Sequence, residues 1–304
     1  MNVTMLEQNT DMLRRTAGKW VDKRLVLLTA AQFAAKQEQI DVEEYTVLSN
    51  KLKKSGSLFS PLRTIHFPMA GLLIAKEGDK NEMIAELHQK YETLRSAGLR
   101  ASSYTYIAAF LLDPSTRPER IKEIYDEMRR YHSFLTSYED YPAAVVMANR
   151  SESVTELVDT SEHYYRFLNE NGFWKGNDLQ FLANMLVMNG MYKEEIAQAV
   201  LKVKDGLEKN GLKIKGMHYP SLGIIALSGN IEEHVQTALE LKESSALKWS
   251  KDMAITLASI FASQAMIESS ASLTAAVQAM IQAQQAVIAA STASLVAASS
   301  SSSD

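Results

Sequence analysis

Three residues that could do chemistry stand in the same local context: His66, Asp140 and His218 each immediately precede an aromatic–proline pair, in His66-Phe67-Pro68, Asp140-Tyr141-Pro142 and His218-Tyr219-Pro220. Two imidazoles and a carboxylate form a metal-binding or acid/base set if the fold gathers them. Tyr141 and Tyr219 would then add phenol hydroxyls to the same loop side. The plainer reading is that each is a polar residue ahead of a helix start. Units this far apart in sequence would lie two repeats apart, roughly 20 Å by typical helix spacing. Only tight closure of the chain on itself would join them. Asn184 is the remaining candidate, because an amide inside an apolar run needs partners, from a ligand or from a neighbouring helix.

Little else in the chain points to chemistry. There is no phosphate-cradling glycine loop, no His-Glu-x-x-His pair and no nucleophile elbow. Cysteine is absent, so disulfides, thiolate nucleophiles and cysteine-ligated metals are excluded. No metal site is assigned and no cofactor is expected. His88, His132, His163 and His234 fall in polar company on amphipathic stretches and are expected to be exposed. Trp20, Trp174 and Trp249 are expected to be packing anchors.

The elements that must position these residues are helices. Proline fixes φ and lacks an N–H, which suits the first turn of a helix, and each aromatic–proline pair opens an apolar run such as Val145 to Ala148 or Ile224 to Leu227. Similar runs without proline lie between them, at Tyr104 to Leu112, Leu179 to Met188 and Met253 to Phe261. The period is therefore about 35 to 40 residues, in the range of helical repeats. Each apolar run is followed by a longer amphipathic stretch, such as Met83, Ile84, Leu87, Tyr91 and Leu94, whose spacings of three and four make one helical face. Three of these stretches stop at Gly98-Leu99, Gly172-Phe173 and Gly211-Leu212, the pattern of a left-handed glycine cap with an apolar residue after it; Gly56 is a fourth candidate. Period-two alternation of useful length is absent, so strands are not expected.

The expected fold is all-α: about six helical hairpins from Lys23 to near Phe261, as an α-solenoid or a closed α/α superhelix. The short helices are apolar nearly all round, which implies burial on most sides and favours closure or a filled groove. Small residues at Ala70, Gly71, Ala144 and Gly223 would let neighbours approach closely. Residues 1–22 read as a helical cap, 23–268 as the helical-repeat domain, 269–298 as an uncharged Ala/Gln/Ser-rich helix and 299–304 as a disordered tail. The 269–298 segment carries a stripe through Val277, Ile281, Gln284, Ile288 and Leu295, suited to docking on the array or pairing with a second copy. Its glutamines argue against a transmembrane span.

The aromatic–proline helix starts, the Asn-Gly-Phe and Asn-Gly-Leu stops and the Ala/Ser-rich ending together resemble the bacterial family DUF4003, a domain of unknown function. The resemblance spans nearly the whole chain and implies no activity and no site residues. The period is similar to that of tetratricopeptide repeats, but their Trp-Leu-Gly-Tyr pattern is missing.

Of 304 residues, 46% are hydrophobic and 22% charged, with a formal net charge of −4, so a folded core is expected and no global field draws the chain to nucleic acid. Neither Met1 to Arg15 nor Leu25 to Ala35 has the form of a signal peptide, and a cytoplasmic location is expected. Three functional readings follow. The first is an interaction or scaffold protein with a protein or peptide partner. The second is an enzyme with a closed α/α array and a loop-side site. The third is a self-assembling homo-oligomer or a membrane-peripheral protein acting through 269–298.

Overall fold

The computed structural model describes residues 2–17, 21–74 and 76–269. Fourteen helices span Val3–Thr16 (α1), Lys23–Ala35 (α2), Val42–Ser55 (α3), Leu62–Ile74 (α4), Lys80–Ser96 (α5), Ser103–Leu111 (α6) and Pro118–Tyr131 (α7). Tyr141–Ala148 (α8), Val154–Glu170 (α9), Asn177–Leu186 (α10), Glu194–Lys209 (α11), Tyr219–Ser228 (α12), Ile231–Glu243 (α13) and Ala254–Ser269 (α14) complete them, and no strand occurs among the described residues. The segment 269–298 apart from its first residue, the tail 299–304 and Trp20 lie outside the described residues.

The helices form two layers. The even-numbered helices touch one another in succession from α2 to α14, and α14 touches α2 again, so the inner layer is a closed ring of seven. The odd-numbered helices form the outer layer, each packed chiefly on the inner helix that follows it. The result is seven outer–inner pairs, α1 on α2 through α13 on α14, rather than the six inner-then-outer units read from the sequence, and the circuit closes where α14 meets α2, with α1 beside the α13–α14 junction. Side chains hold the junction: Ser245 donates its N–H and its hydroxyl to Glu7 Oε1 at 3.0 and 2.7 Å, and Arg14 reaches the Ala246 carbonyl at 3.1 Å.

Burial follows from composition. Every residue of α8 is buried, as are all of α6 except Ser103, because a helix apolar on all sides loses least by being enclosed on all sides. Outer helices bury one stripe, for example Ile121, Ile124, Tyr125 and Met128 of α7. Ala70 and Ala144 are fully enclosed. At Gly223 α12 approaches α10 closely, since a β-carbon there would lie 2.6 Å from the Leu182 side chain.

Helix ends follow the sequence signals with two exceptions. Gly98, Gly172 and Gly211 have φ of +97°, +90° and +75°, and the next residue's N–H bonds the carbonyl five back (Leu99 to Leu94, Phe173 to Leu168, Leu212 to Leu207), which is the Schellman arrangement. Gly56 differs: its φ is −103°, in the extended region, so α3 ends without a left-handed cap. Pro142 and Pro220 lie in the first turn of α8 and α12, but Pro68 lies inside α4, which begins at Leu62 just after Pro61. The Phe67 carbonyl is met by the Tyr45 hydroxyl at 2.6 Å.

Because each inner helix is joined to its outer partners by short turns, all inner helices begin at one end of the ring, here the leading rim, and finish at the other, the trailing rim. Hydrogen bonds between neighbours fix both. At the leading rim Thr64 and Ser103 hydroxyls meet at 2.9 Å and the Tyr104 hydroxyl donates to Glu139 at 3.3 Å. At the trailing rim Arg120 reaches the Ala148 and Arg150 carbonyls at 3.2 and 2.9 Å, and Arg150 the Met188 carbonyl at 2.7 Å. These guanidinium groups satisfy carbonyls at helix C-termini that have no intrahelical donor.

Candidate functional site

His66, Asp140 and His218 lie on or before α4, α8 and α12, alternate members of the inner ring, and each is engaged separately. Asp140 is buried and accepts the Ser137 N–H at 2.9 Å; His218 is buried and accepts the Lys215 N–H on Nδ1 at 3.1 Å. The two are equivalent: each ties off the turn ahead of its helix by accepting from the residue three before it. His218 Nε2 faces the Asp252 carbonyl at 3.0 Å, so the proton sits on Nε2, which donates. His66 lies inside α4 and instead pairs its Nδ1 with the Ser49 hydroxyl at 2.8 Å. Among the described residues, no group of three or more His, Asp or Glu side chains is placed to hold a metal ion.

Burial sets the protonation of all three. Desolvation pushes Asp140 up to about 7, partly opposed by the Ser137 hydrogen bond. Desolvation lowers His66 to about 4, with Lys53 adding to the effect, and also lowers His218, against the opposing pull of Asp252. In each case burial disfavours the charged form of a group held in a structural hydrogen bond.

Tyr141 and Tyr219 are likewise equivalent. The Tyr141 hydroxyl accepts the Arg100 N–H and the Tyr219 hydroxyl the Trp174 N–H, both at 3.1 Å. The donors follow the Gly98-Leu99 and Gly172-Phe173 stops. Phe173 packs on Tyr219 with ring centres 4.7 Å apart, and Leu99 is fully buried. The aromatic of the aromatic–proline pair thus latches the glycine stop of an earlier outer helix.

Asn184 accepts the Ser161 hydroxyl at 2.6 Å, an interhelical bond between α10 and α9, but its amide nitrogen is buried without a partner. One turn earlier on the same face, Gln180 donates to the Thr136 hydroxyl at 2.9 Å, and its carbonyl oxygen is also unpartnered. Both side chains line a cavity of about 10 Å³ between α7, α9 and α10, beside the His132–Glu162 pair at 2.8 Å. That is room for one water molecule, which needs polar partners of this kind.

The side chains that stand free are elsewhere. Trp174 is 83% exposed and Trp249 77%, so neither is a packing anchor; buried Phe173 takes the cap contact expected of Trp174. Phe59 is 96% and Phe134 100% exposed. These four residues occupy the α3–α4, α7–α8, α9–α10 and α13–α14 junctions, all on the leading rim, with Leu58 and Tyr138 exposed beside them. At the trailing rim Met191 is the exposed large apolar residue among those described. Among the helical histidines, His163 is exposed as expected, His88 and His132 are half-buried in hydrogen bonds, and His234 is buried with neither ring nitrogen partnered.

Charge divides between the same two ends. Outer helices finish at the leading rim with Arg14, Arg15, Lys53, Lys54, Arg95, Arg129, Arg130, Lys209 and Lys242 in their last turns. They begin at the trailing rim with Glu43, Glu44, Glu82, Glu119, Glu156, Glu194, Glu195, Glu232 and Glu233. Each sign suits the helix dipole at its end. Because the outer helices run the same way, the local preference adds up to a cationic rim and an acidic one. Carboxylates at Asp22, Glu139, Glu170, Asp178, Glu208, Glu243 and Asp252 dilute the cationic rim, and Lys36, Lys76, Lys80, Arg117, Arg120, Arg150 and Lys193 dilute the acidic one, without reversing either.

Fold and surface together define the class: an all-α protein built as a closed two-layer helical ring, with free aromatic side chains on one rim. The chain belongs to the family described as "Protein of unknown function (DUF4003)", whose profile matches residues 12–290. It is similar to the uncharacterized protein YeaA of Bacillus subtilis (strain 168), with 27% identity over 307 residues covering 94% of this chain and 92% of that one. No solved structure matches it. Among the described residues no helix is long and apolar enough to cross a membrane.

Proposed function

We propose that this is a docking protein of the cytoplasm that works through the leading rim of its ring. The observation that carries this reading is the exposure of Phe59, Phe134, Trp174 and Trp249 on four junctions of one end. Large aromatic side chains left in water cost free energy on the order of 1.5–3 kcal/mol each relative to burial, and a set of four confined to one end of the ring gives that end a surface whose burial by a partner is favourable. The lack of cysteine supports a reducing compartment.

A binding role is better supported than a catalytic one. His66, Asp140 and His218 are each occupied by a hydrogen bond that holds a turn or a helix pair, and their aromatic neighbours Tyr141 and Tyr219 hold the rim loops. The self-assembly reading depends on 269–298, beyond the described residues.

Photo-crosslinking in cells tests the proposal. A benzophenone amino acid placed at Phe134 or Trp174 is expected to give covalent adducts, while the same group at Met191 on the trailing rim gives none. Equal labelling of both rims, or none at either, would sink the reading.

A further inference from the structure

Resting on that reading, we infer that the leading rim seats on an anionic lipid bilayer, with its aromatic tips in the interfacial layer and its cations at headgroup level. Three independent features of the rim choose this occupant.

The first is distribution. In ring order the inner helices are α2, α4, α6, α8, α10, α12 and α14, and the aromatic-bearing junctions lead into the second, fourth, fifth and seventh of these. Apolar tips spread around a circumference do not make the single contiguous patch that a compact partner covers. A planar surface meets all of them at once.

The second is how the side chains stand. Phe59 and Phe134 project wholly into solvent from turns, and the neighbour of Phe59 is Leu58, also exposed. A face for single-stranded nucleic acid would offer aromatic platforms along a basic groove, and an aliphatic tip gives a base nothing to stack on. Phe, Leu and Trp projecting beside lysine and arginine match what the membrane interface accommodates.

The third is charge. Lys53, Lys54, Arg129 and Arg130 end outer helices at this rim, and Lys213 and Lys215 are exposed on the α11–α12 junction. Lys248 lies 5.4 Å from the Trp249 ring centre, a cation and an interfacial anchor side by side. Anionic headgroups attract such residues, and the acidic trailing rim is repelled, so the field also orients the ring.

Sedimentation of the full chain with vesicles is the test. Binding to vesicles containing phosphatidylglycerol is expected to exceed binding to pure phosphatidylcholine by about tenfold or more and to fall at high salt. The double variant Phe134→Ser, Trp174→Ser is expected to lose about tenfold in the same assay while Met191→Ser matches the parent. Circular dichroism of each variant keeps a folding defect separate, since none of these side chains is buried. Lipids brominated near the headgroup are expected to quench tryptophan fluorescence less in Trp174→Ser than in the parent.

Failure to sediment with anionic vesicles overturns the inference, as does sedimentation unaffected by the rim substitutions, or tight binding of a single-stranded oligonucleotide in place of lipid. Protein adducts at Phe134 and Trp174 without vesicle binding would leave the rim as a docking face and remove the bilayer as its occupant.

Discussion

The Tyr219 hydroxyl accepts the backbone N–H of Trp174 at 3.1 Å, joining the first turn of α12 to the loop that ends α9, forty-five residues earlier. The Tyr141 hydroxyl does the same for Arg100 and the end of α5. Two features that are separate in sequence, an aromatic before proline and a glycine stop, are therefore two halves of one latch. Each latch presents the residue after the stop, Arg100 or Trp174, to solvent at the leading rim.

Removing a latch has a modest, local cost. Tyr219→Phe is expected to destabilise the fold by roughly 1 kcal/mol, the usual net value of one such hydrogen bond, and Tyr141→Phe by a similar amount. The pairs share no partner, so the double variant should be close to additive. Urea denaturation measures both, and amide exchange at Trp174 should speed up in Tyr219→Phe alone.

Asp140 predicts a pH dependence. Its folded pKa, about 7, lies above its ordinary 3.8, so the native state prefers the protonated acid. Stability from this group is fully present below about 4 and is lost as pH rises through 7. Asparagine mimics the neutral acid and keeps an acceptor for Ser137. Asp140→Asn is expected to match the parent near pH 4 and exceed it by roughly 2–4 kcal/mol at pH 8, since each tenfold change in proton affinity between the unfolded and folded chain is worth about 1.4 kcal/mol. Melting curves across that range decide it, and parallel profiles would refute the assignment.

His218 works in the opposite sense. Burial holds its pKa below the ordinary 6.5, so its contribution is complete above that value and is lost as pH falls through the lower folded one. The neutral ring accepts on Nδ1 and donates from Nε2, and protonation forfeits the Lys215 bond. His218→Gln is expected to lower the melting temperature at pH 7.5 and to flatten its decline between pH 6.5 and 5. Nitrogen-15 shifts of the imidazole should report the Nε2–H form at neutral pH.

The small cavity under α10 is expected to hold one ordered water bridging the Gln180 oxygen and the Asn184 nitrogen. Asn184→Ala removes an acceptor that the buried Ser161 hydroxyl uses, at a cost of about 1–3 kcal/mol. A crystal structure with no density between the two amides would contradict the water; unfolding free energies test the cost.

Much of the architecture is legible in the chain. Apolar runs with no polar face require an inner layer, amphipathic runs an outer one, and three glycine–apolar pairs mark where outer helices stop, because these depend on neighbours within a few residues. Local rules also misplace things. Pro68 resembles Pro142 and Pro220 in its flanking residues, yet α4 starts earlier, after Pro61, and carries Pro68 in its interior. His234 looks polar beside Glu233 but is rotated inward. Phe59 and Phe134 sit in short polar stretches between periodic runs, and that placement was the available hint of their exposure.

The sequence by itself determined the helices, their alternation and most of their ends, since helix formation, amphipathicity and capping are settled by side chains within a turn or two of one another. It also placed cations in the last turn and carboxylates in the first turn of five of the seven outer helices, α1 lacking the carboxylate and α9 the cation. Tertiary structure decided that α14 returns to α2, that His66, Asp140 and His218 are held apart in structural bonds, and that four aromatic side chains share one rim. The closure rests on contacts between residues far apart in the chain, as with Glu7 and Ser245, 238 positions apart. No local preference encodes them, because they arise when the small rotation between neighbouring helix pairs accumulates around the whole ring.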